Sequence, residues 1–63
     1  MTEVVTITVE LTEWQAWQLA QFCKRSGFGH YRECACNDEE AYTMIGAIGR
    51  VAEALREKGY APR

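Results

Sequence analysis

The sequence predicts an α+β fold: a small β-α-α protomer with one N-terminal strand, two helices and a short helical turn between them. Three observations carry that expectation. Residues Val4 to Leu11 alternate apolar and polar, a capping box opens at Thr12, and a long apolar stripe runs from Ala41 to Leu55. At 63 residues the chain holds one domain, spanning 1–63. A chain this short buries only about 60% of the surface its unfolded form exposes. Two domains, a doubly wound nucleotide fold, a barrel enzyme and a repeat array are therefore excluded.

In the segment VVTITVEL, Val5, Ile7, Val9 and Leu11 share one face, and Thr6, Thr8 and Glu10 share the other. Period two with β-branched residues is the mark of a strand. Thr12-Glu13-Trp14-Gln15 then has capping-box spacing, the threonine serving the N3 amide and Gln15 reaching back. Leu11 and Ala16 flank it at the positions of a hydrophobic staple. The first helix is expected to run to about Ser26 and end at Gly27, with Lys24 and Arg25 favouring the dipole in its last turn. Ala16, Leu19, Ala20 and Cys23 form its narrow apolar stripe, flanked by Trp17 and Phe22. Trp14 falls on the opposite side, among Gln18, Gln21 and Arg25.

Residues 28–36 (FGHYRECAC) fit either one helical turn around His30 to Cys34 or a short strand pairing with the first. No apolar face alternates cleanly there, which favours the turn. The second helix is the clearest element. Asn37 caps it, Asp38, Glu39 and Glu40 crowd its positive end, and Glu40 completes a capping-box-like spacing. It should run to about Lys58 and stop at Gly59, with Pro62 beyond. Ala41, Met44, Ile45, Ile48, Val51, Ala52 and Leu55 make its apolar stripe. Gly46 and Gly49 each cost roughly 1 kcal/mol against alanine in a helix interior. With Tyr42 and Glu53 they form a flatter side, open to a closely packed neighbour.

One strand cannot satisfy its own backbone, and even an isolated pair is marginal. The missing partner is expected to be a second copy, with Val4 to Leu11 pairing antiparallel across a two-fold axis to make a strand-paired homodimer.

Seven Lys+Arg against nine Asp+Glu give a net charge of −2, so direct nucleic-acid binding is not expected. No apolar run approaches the ~20 residues of a membrane span, and the N-terminus lacks a signal-peptide pattern, so a cytoplasmic location is expected. Cys23, Cys34 and Cys36 are an odd number and are read as reduced thiols. With His30 they supply zinc-type ligands, and a small thiol or zinc protein is one alternative reading. The spacing opposes it, because Cys34-Ala35-Cys36 lacks the usual two-to-four-residue knuckle and Cys23 sits on the buried stripe. No metal or cofactor is expected. His30 and Cys34, four apart on a helical turn, are the residues from which a nucleophile and base would come. A substrate pocket of ~300 Å³ or more is hard to enclose in so short a chain. The expectation is a non-catalytic protein with no catalytic residues.

The candidate partner-binding residues are Trp14, Glu10, Glu13, Asp38, Glu39, Glu40 and Tyr42. Trp14 is costly to leave in water on a glutamine-rich face and is a common interface anchor, unless the loop 28–36 folds over it. Asp38, Glu39 and Glu40 could mimic phosphates before a basic groove, although carboxylates at a helix start also simply stabilise the dipole. Tyr42, like Trp17 and Phe22, has packing as its plainer role. Lys24, Arg25 and Arg32 cluster at the end of the first helix. They underlie a second alternative, an accessory dimeric regulator of a mobile element that touches DNA or a partner regulator.

The strings LTEWQAWQLAQFCKRSGF, YREC, DEEAYTMIGA and LREKGYAPR cover nearly the whole chain. Through them it resembles small uncharacterised prophage and mobile-element proteins of proteobacteria, among them anti-CRISPR inhibitors of the type I-C class. The matching residues are Gln15, Ala16, Trp17, Gly27, Phe28, Tyr31, Arg32, Glu40, Ala41, Tyr42 and the tail from Gly59 to Arg63. Trp14 and the Cys34-Cys36 pair depart from that pattern. The resemblance implies an inhibitor in the host bacterial cell that binds a larger protein complex, concretely a subunit of a Cascade-type CRISPR complex. Its acidic surface would mimic DNA.

Overall fold

The computed structural model describes residues 3–62. Arg63, the last residue of the tail matched above, lies outside them. Three helices follow in order: α1 (Glu13–Arg25), α2 (Phe28–Cys34) and α3 (Asp38–Glu57). Among the described residues there is no strand, so the expected α+β protomer is corrected to an all-α one. The reason is physical. Alternation specifies which side chains share a face, whereas a strand also needs a second backbone to pair with and a core to lie on. The segment 3–12 finds neither within the chain: Val4, Val5, Ile7 and Val9 are 91%, 80%, 74% and 63% exposed. The expected pairing of strands between two copies falls with the strand itself.

The capping box expected at Thr12 is formed. The Gln15 N–H donates to Thr12 Oγ1 at 3.1 Å, and the Thr12 N–H donates to Gln15 Oε1 at 2.9 Å. Ser26 closes α1, its N–H donating to the Phe22 carbonyl at 2.9 Å. The expected helical turn around His30 to Cys34 is a full α2 of seven residues, and the strand alternative for 28–36 is not formed. The Gly27 N–H donates to His30 Nδ1 at 3.3 Å, which places the imidazole over the start of α2.

Asn37 caps α3 by accepting from the Glu40 N–H at 2.8 Å. The Glu40 carboxylate does not return to Asn37; it accepts from the Cys36 N–H at 3.2 Å, one residue earlier. At the far end Gly59 adopts φ 97°. The Gly59 N–H donates to the Arg56 carbonyl at 3.0 Å and the Tyr60 N–H to the Leu55 carbonyl at 2.9 Å. These bonds make a Schellman motif, which also brings Tyr60 onto Leu55.

The core is small. Ala16, Ala20 and Leu55 are buried together, with Leu19, Val51 and Tyr60 packed around them, and Ala41 is buried in the first turn of α3. The apolar stripes expected on both long helices are the ones that face inward. Alanines on α1 let it approach the C-terminal half of α3, while α2 packs on the same helix nearer its start. Because buried alanines remove little apolar area from water, this core contributes far less than one built of leucine and phenylalanine.

Candidate functional site

The described surface gathers chemistry where α2 meets the start of α3. Arg32, in the last turn of α2, donates from Nε to Asp38 Oδ1 at 2.7 Å and from Nη1 to the Ala35 carbonyl at 3.0 Å. This guanidinium ties the end of one helix to the start of the next. Phe28, one turn earlier on the Arg32 side of α2, reaches Tyr42 with ring centroids 5.2 Å apart and planes inclined at 41°. The two rings remain 41% and 64% exposed. An aromatic pair thus lies beside an ion pair that joins the same two helices, and both of its rings keep a substantial exposed surface.

The acidic triplet sits beside it with its carboxylates unequally occupied. Asp38 is neutralised by Arg32, and Glu40 receives the Cys36 N–H. Glu39 is exposed, its backbone carbonyl accepting from the Thr43 hydroxyl at 3.0 Å. A surface of three free carboxylates imitating consecutive phosphates is therefore not what the local bonding presents. The same ion pair removes Arg32 from the basic cluster expected with Lys24 and Arg25.

Asp38, Glu39, Glu40 and Tyr42 come together at the start of α3, as their sequence proximity dictates. Glu10, Glu13 and Trp14 form a separate group where the N-terminal segment enters α1. Ala16 and Ala20 cluster with Leu55, so the start of α1 lies near the end of α3. Along α3, Asp38 and Leu55 are about 25 Å apart at 1.5 Å per residue. The seven candidates thus make two patches at opposite ends, not one. Trp14 is 73% exposed, so residues 28–36 do not cover its ring. Trp17 does pack, edge-on against Tyr60, whereas Phe22 is 54% exposed. The residue missed as a contact candidate was Phe28. Its signal was present in the spacing of Phe28 and Arg32, which puts both on one side of α2.

The thiols are all free. Cys23 is half-buried, and Cys34 and Cys36 are exposed. Burial pushes the Cys23 thiol pKa up, a hydrogen bond with the backbone partly opposing it. Among the described residues no group of three or more His, Cys, Asp and Glu side chains gathers in a way that could hold a metal ion. No helix among them is long and apolar enough to cross a membrane.

The model of one protein family matches residues 1–63, the whole chain. The chain belongs to DUF7706, a family of unknown function. No curated protein and no solved structure matches it.

Proposed function

We propose that this DUF7706 chain is a non-catalytic protein that acts by binding a larger protein. The Phe28–Tyr42 pair is the apolar centre of the contact, and Glu39 and Glu40, beside an Asp38 already paired with Arg32, are its charged rim. The exposure of the two paired rings carries this reading: 41% and 64% of their surface stays in water although they lie against each other. Aromatic side chains supply much contact area at small entropic cost, and pre-positioned rings lose less on binding. The carboxylates beside them favour a basic partner surface and would speed association at low salt. Trp14, with Glu10 and Glu13, offers a second anchor at the opposite end.

The resemblance to prophage and mobile-element proteins gives the reading its most concrete form, an anti-CRISPR protein in the host cytoplasm. In that form the rings and carboxylates occupy a basic DNA-entry surface of a Cascade-type complex and block it sterically. The test is binding to purified type I-C Cascade, together with competition against its target DNA. Wild type should bind and displace DNA, and Phe28→Ala with Tyr42→Ala should weaken binding at least tenfold. Substituting Asp38, Glu39 and Glu40 by their amides should slow association chiefly at low salt. Absence of binding defeats the anti-CRISPR form. Turnover of a small compound, lost on replacing His30 or Cys34, overturns the non-catalytic reading altogether.

A further inference from the structure

A second surface lies away from the Phe28–Tyr42 pair. The N-terminal segment and the α1–α3 pair enclose an open apolar cleft of about 430 Å³, with Ile7, Val9 and Leu11 on one wall and Leu19, Val51 and Leu55 on the other. Thr8 and Lys58 are the polar side chains among its lining residues. Such a lining lacks the convergent polar groups that orient a small ligand. Its apolar side chains are well placed to pack against others of the same kind.

The exposed area says how large a partner this chain accommodates. A compact monomer of its mass, 7.2 kDa, exposes about 4,100 Å² by the usual surface scaling. This chain exposes 5564 Å². The excess is about 1,400 Å² per chain, an upper limit on the area one partner covers, so two copies have up to about 2,800 Å² to bury, more than the ~1,200–2,000 Å² a stable interface needs. Much of the exposed apolar surface is on the N-terminal segment: Val4, Val5, Ile7 and Val9 are each more than three-fifths exposed. Charge is compatible with self-association, since Lys58 lines the cleft and the segment carries Glu3 and Glu10.

We infer that a second copy of this chain covers the cleft. The two clefts face each other around a two-fold axis, so that the exposed sides of Ile7 and Val9 of each copy lie over the Leu19, Val51 and Leu55 wall of the other. The contact is made by side chains against helices, and it leaves the Phe28–Tyr42 pair free for the partner argued above. The inference stands independently of that partner's identity.

Sedimentation velocity on the full chain, over a hundredfold dilution from about 100 μM, tests it. The expected species is a dimer of about twice the monomer mass, dissociating on dilution. Ile7→Glu should weaken self-association at least a hundredfold, because it places a carboxylate among apolar side chains, where its desolvation outweighs what one lysine of the lining returns. Helical circular dichroism should persist, since Ile7 makes no part of the buried core. Trp14→Glu, at a different patch, should leave the dimer intact. Should Ile7→Glu fail to fold, the wild-type melting temperature decides, because it rises with concentration only for an associating protein. A monomer throughout with a concentration-independent melt overturns the inference. So does a dimer that Trp14→Glu breaks and Ile7→Glu does not.

Discussion

Trp17 meets Tyr60 edge-on, with ring centroids 5.0 Å apart and planes at 74°. The contact joins α1 to the residue that follows the Schellman turn of α3, and Tyr60 also packs on the buried Ala16, Ala20 and Leu55. In a core made mostly of alanine, one half-buried aromatic carries a large share of the apolar contact. Edge-to-face pairs contribute about 0.5–1.5 kcal/mol beyond the area they bury. Tyr60→Ala should therefore cost about 2 kcal/mol. At the ~4–8 °C per kcal/mol typical of small domains, the melt falls by about 10 °C, while Tyr60→Phe stays close to wild type. Thermal unfolding followed at 222 nm checks it, and an unchanged Tyr60→Ala melt would show that the tail does not hold α1.

The glycines divide by backbone conformation, and their alanine variants should move in opposite directions. Gly59 sits at φ 97°, where a Cβ is strained, so Gly59→Ala should destabilise by about 1–2 kcal/mol. Gly46 and Gly49 are interior to α3, and a Cβ built on either meets no atom of the chain within 4 Å. Alanine there should gain up to about 1 kcal/mol each from helix propensity. Chemical denaturation at one protein concentration measures all three. Loss of stability on Gly46→Ala or Gly49→Ala would mean that this side of α3 is covered after all.

What the sequence disclosed and what it withheld follow from the range of each signal. The Thr12–Gln15 box, the Asn37 cap and the Gly59 stop act within five residues, so they are recognisable without the rest of the chain. The inward stripes of α1 and α3 were equally visible, because helical periodicity fixes which side chains share a face. Val4 to Leu11 failed for the opposite reason, since its alternation has meaning only when a distant backbone supplies the ladder. Phe28 was overlooked because its role depends on Tyr42, fourteen positions away on another helix. The commitment of Arg32 to Asp38 spans a bend between two helices, which composition cannot register.

That ion pair makes a modest prediction. Both partners are partly in solvent, with side chains 42% and 72% exposed, so the pair itself contributes about 0.2–1 kcal/mol. Asp38→Asn also removes a charge from the start of α3, adding a few tenths more. The sum is about 1 kcal/mol at low salt, shrinking in 1 M NaCl as screening removes the Coulomb part. Arg32→Ala should cost more, because the Ala35 carbonyl loses its donor as well. Its distinguishing consequence is loss of the fixed approach of Phe28 to Tyr42, visible as altered ring-proton shifts. If those shifts are unmoved, the guanidinium does not position the rings.

Cys23 carries the pH dependence. Burial disfavours its thiolate and raises its pKa in the fold, whereas the unfolded chain leaves the thiol at its ordinary value. The folded state thus binds the proton more tightly. The stability this contributes is complete below the unfolded thiol's pKa and is lost as pH rises through the higher folded one. Stability measured between pH 8 and pH 10 should fall, and the part due to this group should vanish in Cys23→Ala compared with wild type. Thiol labelling supplies a second readout. Cys34 and Cys36 are exposed and Cys23 is half-buried on the α1 stripe, so an alkylating reagent at pH 8 should modify two sites quickly and the third slowly. Three equal rates would place Cys23 in solvent, and with it the face by which α1 meets α3.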